Sequence, residues 1–189
     1  MRKMGLHSKA DQSRQRSTLR ARGFTLIEVL IVVVIIGILA TVVVPQMSGA
    51  SKEARDNTLK DEMRYLRTQI QVFKAQHIDR SPGYPGGNTS AAPTEQAFLD
   101  QMTSYSDENC GTSATATLSC KFGPYLSRMP DNPVNGSHAI KMIPNNALLP
   151  APNAAESKQY GWIYKPATQE IIPNLTGYDN DGKMLYSKY

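Results

Sequence analysis

The feature that most constrains this chain is an apolar run of 21 residues near its start, from Phe24 to Val44, in which Glu28 is the only charged residue. As an α-helix this run would span about 31 Å at ~1.5 Å per residue, close to the roughly 30 Å of a bilayer's hydrocarbon core. Its valines and isoleucines would favour a strand in water, but a single segment in lipid satisfies its own backbone hydrogen bonds only as a helix. The run therefore predicts a transmembrane helix over 24–44.

The charge distribution predicts how this helix is oriented. The chain of 189 residues carries 21 Lys and Arg against 16 Asp and Glu, a net charge of +5. Seven of the basic residues and one acid lie in the leader, residues 1–23. Positive charge before a span stays cytoplasmic, so we expect the part after Val44 to lie outside the cytoplasm. That part has no excess of positive charge, which removes the main support for a nucleic-acid-binding function.

The junction between leader and apolar run reads GFTLIE, from Gly23 to Glu28. A lone carboxylate is unfavourable in lipid, so Glu28 must either reach the interface or pair with a positive group at its own depth. A cut just before Phe24 would create such a group, a free amine. An ordinary secretory signal has a shorter apolar run and a small-residue cleavage site. This junction, with Pro45 after the run, instead resembles the processing site of type IV prepilins and type II secretion pseudopilins.

The resemblance implies that a prepilin peptidase cuts between Gly23 and Phe24 and methylates the new N-terminus of Phe24. It also implies that Glu28 of one subunit meets the Phe24 amine of a neighbour, and that Glu28 and Pro45 serve in assembly. An ion pair in a low dielectric is strong only when both partners are present. An unpaired Glu28 would therefore act as a signal for docking.

Residues 45–77 continue the helical pattern with an amphipathic half-helix, because apolar side chains recur three or four positions apart. The predicted stripe consists of Met47, Ala50, Ala54, Leu59, Met63, Leu66, Ile70 and Phe73. We interpret the charged residues between them, including Asp56 and Arg67, as a solvated face. The alternative is that some of these charges bind neighbouring subunits. Residues 78–189 are expected to form a globular periplasmic head that covers the stripe.

The head is predicted to contain both helix and strand. Thr94 is expected to cap a short helix, and residues 106–120 to form a loop. Strands are expected over 138–143, 160–165 and 169–172. The last two read as a hairpin, and Trp162 is expected to pack the sheet on the long helix. The predicted fold is α+β and pilin-like: a long N-terminal helix, its first half transmembrane, packed on a small antiparallel β-sheet.

Cys110 and Cys120 are the only cysteines of the chain, and they bracket the predicted polar loop. Two lone cysteines outside the cytoplasm usually pair. A bond across this loop would contribute roughly 2–3 kcal/mol in the chain-entropy description. We predict a disulfide, with two reduced thiols or a metal pair as the alternatives. A catalytic thiol is not favoured, since no plausible base lies nearby in the sequence.

The segment from Thr176 to Lys183 is rich in oxygen ligands. Major pseudopilins hold calcium in a loop near this point, and Asp179, Asn180 and Asp181 could supply hard oxygens for it. The longer aspartate pattern of those proteins is not clearly present here. A tight Asp-Gly turn explains the same residues without a metal. We favour the turn and keep calcium as the one candidate cofactor.

The sequence contains no H-E-x-x-H, no G-x-S-x-G and no P-loop, so we do not expect an enzyme. The resemblance implies a structural subunit of a periplasmic pseudopilus that drives protein export by type II secretion. It places the chain in the bacterial inner membrane with a single span and its head in the periplasm. The expected partners are copies of itself, other pseudopilins or pilins, the prepilin peptidase, the assembly platform and the membrane.

Three alternatives remain open from the sequence. A type IV pilin for adhesion, motility or DNA uptake belongs to the same structural class. A membrane-anchored periplasmic binding module or enzyme belongs to another class, and it would require a pocket with converging polar groups. A single-pass anchor that never polymerises is the third.

Overall fold

The computed structural model describes residues 23–189, with all side chains in that range except those of residues 44–48. The predicted leader therefore lies outside the described residues apart from Gly23. The chain divides into two compact units, Met1–Val44 and Pro45–Tyr189, and each is described by itself.

In the first unit the predicted membrane segment is helical. It forms the beginning of α1, Leu26–Gln76, which among residues 23–189 is the one helix long and apolar enough to cross a membrane. Its apolar side chains are exposed all around the helix, for example Ile35 by 51% and Ile38 by 63%. Soluble proteins rarely expose an apolar surface of this extent, so the unit is suited to lipid or to other apolar helices.

In the second unit the rest of α1 turns one stripe towards the core. The buried part of the stripe consists of Leu59, Met63, Leu66, Ile70 and Phe73, each at most 1% exposed. Ala50 and Ala54, which also belong to the predicted stripe, are exposed. The head therefore covers α1 only from about Asp56 onwards. The helix ends at Gln76, one residue before the predicted end.

A second helix and a small ribbon follow in the head. Helix α2 spans Glu95–Thr103, and the side chain of Thr94 caps it as predicted, accepting a hydrogen bond from the Ala97 N–H at 3.2 Å. Strands β1 (Tyr105–Ser106) and β2 (Thr112–Ser113) pair antiparallel. The segment predicted as a plain loop thus carries a two-stranded ribbon, whose strands are too short for sequence periodicity to reveal.

The main sheet has three strands in the order β3-β4-β5, namely β3 (Ile140–Met142), β4 (Trp162–Lys165) and β5 (Glu170–Pro173). Strands β4 and β5 form the predicted antiparallel hairpin. Strand β3 runs parallel to β4, so the sheet is mixed rather than wholly antiparallel. The segment 143–161 is long enough for the crossover that a parallel pair requires. The predicted α+β class is confirmed.

The core of the second unit lies between α1, α2 and the main sheet. Trp162 is fully buried within it, and its indole Nε1 donates a hydrogen bond to the Pro130 carbonyl at 3.0 Å. Phe98 and Met102 of α2 are fully buried in the same cluster. Trp162 therefore packs the sheet on the long helix as predicted.

Candidate functional site

The predicted processing site is exposed. Gly23 and Phe24 precede α1 without regular structure, and Phe24 is 87% exposed. Within the described part of the chain, no atom lies within 4 Å of the place where a Cβ on Gly23 would stand. The packing of the described residues therefore imposes no need for glycine at this position, and the peptide bond between the two residues is accessible.

Glu28 lies in the first turn of α1 and forms hydrogen bonds with Thr25. Its Oε2 accepts the Thr25 N–H and the Thr25 hydroxyl, each at 2.8 Å. The Thr25 Oγ1 in turn accepts the Glu28 N–H at 3.2 Å. This reciprocal arrangement is a capping box, and it places a negative charge at the positive end of the helix dipole. This role of Thr25 was not predicted from the sequence, although the T-x-x-E spacing is a signal for it.

Pro45 lies inside α1, among residues 44–48, whose side chains are not described. A proline there removes one backbone hydrogen bond of the helix. Its assembly role stays a prediction.

Cys110 and Cys120 are both buried, 2% and 9% exposed, and both carry free thiols in this structure. The Cys120 Sγ lies 3.9 Å from the carbonyl oxygen of Gly111, the residue after Cys110. Burial raises the pKa of the Cys110 thiol, and the Arg80 guanidinium offsets part of this effect. A thiol with a raised pKa is a poor nucleophile. The disulfide between the two stays a prediction.

Residues 179–181 form the predicted turn. The Gly182 N–H donates to the Asp179 carbonyl at 2.9 Å. The Asp179 Oδ1 accepts the N–H groups of Lys183 at 2.9 Å and Met184 at 3.2 Å. Desolvation acts to raise the pKa of Asp179, but the backbone donors of Met184 and Lys183 hold it below its ordinary value.

The residues of this turn do not fit a calcium site as they are arranged. Among residues 23–189 no three His, Cys, Asp or Glu side chains converge as a metal site would require. Calcium takes six to eight oxygen ligands, whereas Asp179 is engaged by backbone donors and Asp181 lies 3.4 Å from the Lys183 ammonium. Hydrogen bonds within the chain account for the turn.

Sequence analysis placed Asp56 on a solvated face, and the structure corrects this. Asp56 is only 5% exposed. Its Oδ2 accepts the Asn180 N–H at 2.6 Å, and its Oδ1 accepts the Tyr186 hydroxyl at 2.9 Å. The sequence signal for this burial is the spacing of Asp56 and Leu59. Asp56 stands three residues before Leu59, so it lies on the same face of the helix as the buried stripe. The partners themselves lie more than 120 residues away, beyond the reach of local pattern.

His77 is another buried polar residue to which sequence analysis assigned no role. Its Nδ1 lies 2.6 Å from the Phe73 carbonyl and its Nε2 lies 2.9 Å from the Ser106 Oγ. A carbonyl only accepts, so Nδ1 carries the proton of the neutral ring. Burial lowers the pKa of His77, and the Phe73 carbonyl and the Asp107 charge offset part of this effect. His77 thus joins the end of α1 to β1 in its neutral form.

Comparison with known proteins places these features in a family. The family described as the prokaryotic N-terminal methylation motif matches residues 18–44. The chain is 30% identical to type II secretion system core protein G of Aeromonas hydrophila over 114 residues, which cover 60% of this chain and 68% of the relative. It is also 30% identical to the Klebsiella pneumoniae protein of that name over 121 residues, covering 64% and 74% of the two chains.

A shorter similarity points to a related class. The chain is 41% identical over 61 residues to a type IV wide pilus major component of Thermus thermophilus, covering 32% of this chain and 44% of the relative. No solved structure matches the chain. The methylation motif and the two long alignments show that this chain belongs to the family of type II secretion system core protein G, the major pseudopilins, and is a structural subunit of a pseudopilus.

Proposed function

We propose that this chain is a non-catalytic subunit of a periplasmic fibre that drives protein export by type II secretion. The observation that carries the proposal is the exposed Gly23–Phe24 junction, which stands directly before a capping box at the start of an apolar helix. The relatives named type II secretion system core protein G supply the secretion context.

The proposal includes cleavage between Gly23 and Phe24 and methylation of Phe24 by a prepilin peptidase. Two facts support it: the junction is accessible, and no described neighbour of Gly23 excludes a side chain there. A glycine that internal packing does not require suits recognition by an external enzyme. The motif match over residues 18–44 spans this junction.

The proposal also includes pairing between Glu28 and the Phe24 amine of a neighbouring subunit. The capping box fixes the Glu28 carboxylate at the first turn of α1, so the charge is held in one place before any neighbour arrives. Preorganisation of this kind lowers the entropy lost on association. Methylation of an amine keeps its charge, so a methylated Phe24 would still pair.

The exposed apolar surface of residues 26–43 is the surface on which neighbouring subunits pack in the proposed fibre. Residues 26–43 form a helix with apolar side chains on every face. In the inner membrane lipid covers them, and in a fibre the helices of neighbouring subunits replace that lipid through close packing. The expected partners are therefore copies of this chain, other pseudopilins and an inner-membrane assembly platform.

Type IV pilin is the second candidate function, and the Thermus thermophilus relative is the observation that favours it. Both functions use the same processing and the same helix. They differ in whether the fibre stays in the periplasm or reaches the cell surface, and in which process needs the fibre. Deletion of the gene therefore distinguishes them. Loss of an exported protein indicates secretion, and loss of surface pili indicates a pilus.

Variants at the capping box test the assembly step. Glu28→Gln keeps a side chain that can complete the box but removes the charge, whereas Thr25→Ala weakens the cap and keeps the charge. We expect all variants to be cleaved, with fibre yield strongly reduced in Glu28→Gln and Glu28→Ala and less so in Thr25→Ala. Cleavage is read by mass and fibres by shearing and electron microscopy. Wild-type fibre yield from Glu28→Gln and Glu28→Ala would refute the ion-pair role.

A further inference from the structure

We propose that the segment 178–189 is locked on α1 by a metal-independent clasp formed by Asp56, Lys60 and Arg67. The clasp is defined by these three side chains and their contacts with residues 178–189. It lies wholly within the second unit, and it stands or falls independently of fibre assembly and export.

Asp56 is the centre of the clasp. It is a buried carboxylate, and a buried charge is tolerated only when hydrogen bonds satisfy it. One oxygen accepts the backbone N–H of Asn180 at 2.6 Å, and the other accepts the hydroxyl of Tyr186 at 2.9 Å. Asp56 therefore ties the turn, at Asn180, and the segment after it, at Tyr186, to one point on the helix.

Two cations extend the clasp along the same helix. The Lys60 ammonium lies 4.8 Å from the centroid of the Tyr189 ring, in cation–π geometry. Arg67 donates to the carbonyl oxygen of Ile171 at 3.2 Å and to that of Tyr189. Positions four and eleven residues after Asp56 lie on one face of a helix, so all of these contacts come from a single face of α1.

The clasp places a tethered cation beside a group of carboxylates. A small cavity of about 60 Å³ lies between α1 and the turn, and its lining includes Glu53, Asp56, Lys60, Asp179 and Asp181. The Lys60 charge contributes to the lowered pKa of Asp179. The Lys60 ammonium at the wall of this acidic cavity offsets part of its negative charge, and it opposes entry of another cation by like-charge repulsion.

Hydrogen–deuterium exchange of the full chain in detergent tests the clasp, measured with EDTA and with millimolar calcium. We expect the protection of residues 178–189 in the wild type to be the same in both conditions. Asp56→Asn and the milder Tyr186→Phe should each accelerate exchange in that segment on the order of tenfold, as expected for a lost hydrogen bond to a charged group. The matched control is Asp61→Asn on the same helix, whose carboxylate is 75% exposed and pairs with Arg64, and it should leave exchange unchanged.

Two results would overturn the proposal. One is a rise in protection of the wild-type segment with calcium that Asp181→Asn abolishes, which would show a metal site instead. The other is unchanged exchange in both Asp56→Asn and Tyr186→Phe. Because Tyr186→Phe removes a single hydroxyl, it gives a reading even where Asp56→Asn unfolds the head.

Discussion

At the scale of single residues, the polar side chains of this protein differ in how far along the sequence their hydrogen-bond partners lie. Glu28 forms its hydrogen bonds with a residue three positions away, and the sequence motif singles out Glu28 but not this role of Thr25. Both oxygens of Asp56 and the Nε2 atom of His77 find their partners in distant segments, which no local pattern indicates. Sequence analysis therefore identified the processing motif and missed the buried polar contacts of the head.

His77 is expected to make the head less stable in acid. Its pKa is lowered from 6.5 by burial, so as the pH falls below about 6.5 the unfolded chain binds a proton before the folded chain does. The stabilising contribution is therefore complete above that pH and is lost as the pH falls towards the folded pKa. Thermal unfolding of the full chain between pH 7.5 and pH 5 measures the effect.

The dependence of the melting temperature on pH distinguishes titration of His77 from a general loss of stability. His77→Gln should lower the melting temperature but flatten its dependence on pH between 7 and 5. His138→Gln makes the same substitution at an exposed histidine, and the slopes of the two variants are compared. An unchanged slope in His77→Gln would assign the pH dependence to other groups.

At the scale of secondary-structure elements, long elements with a repeating apolar pattern could be predicted from the sequence, and very short strands could not. The periodicity of α1 and of the β4–β5 hairpin extends over enough residues to be recognised, and both are present. Strands β1 and β2 have two residues each, too few for a period. The parallel pairing of β3 with β4 depends on a crossover, which sequence pattern does not specify.

Gly161, just before β4, is expected to tolerate no side chain. A Cβ there would stand 1.8 Å from the Ser137 carbonyl oxygen, which is backbone and is itself hydrogen-bonded to Asn132. We expect Gly161→Ala to destabilise the head by about 1–3 kcal/mol, as overpacking does. Chemical denaturation monitored by Trp162 fluorescence measures the change.

Gly49 provides the matched control for this substitution. It lies within α1, and no described atom is within 4 Å of the position of a Cβ. Gly49→Ala should therefore stabilise the helix slightly, by ~0.5–1 kcal/mol. Equal effects of the two substitutions would contradict the close approach at Gly161.

A disulfide between the two cysteines is expected to stabilise the ribbon and the loop that lie between them. If Cys110 and Cys120 pair in the periplasm, thiol titration of the native protein under denaturing, non-reducing conditions should find no free thiol. Reduction should then release two thiols and lower the stability by roughly 2–3 kcal/mol. Two free thiols before reduction would rule out the bond.

At the scale of the whole molecule, the chain combines a segment suited to lipid with a head suited to water. Residues 26–43 expose apolar side chains on every face, whereas the head buries its apolar stripe against α2 and the main sheet. A segment of this kind suits lipid or close packing among other apolar helices. The sequence predicted this division, because a long uniform apolar run is unambiguous.

Maturation of the N-terminus before assembly is the step on which the proposed function depends. Intact-mass measurement and terminal sequencing of this polypeptide, taken from fibres sheared from its native host, test that step most directly. We predict a chain that begins at Phe24 and carries one added methyl group on its terminal amine. Fibres built from chains that keep residues 1–23 would contradict the account.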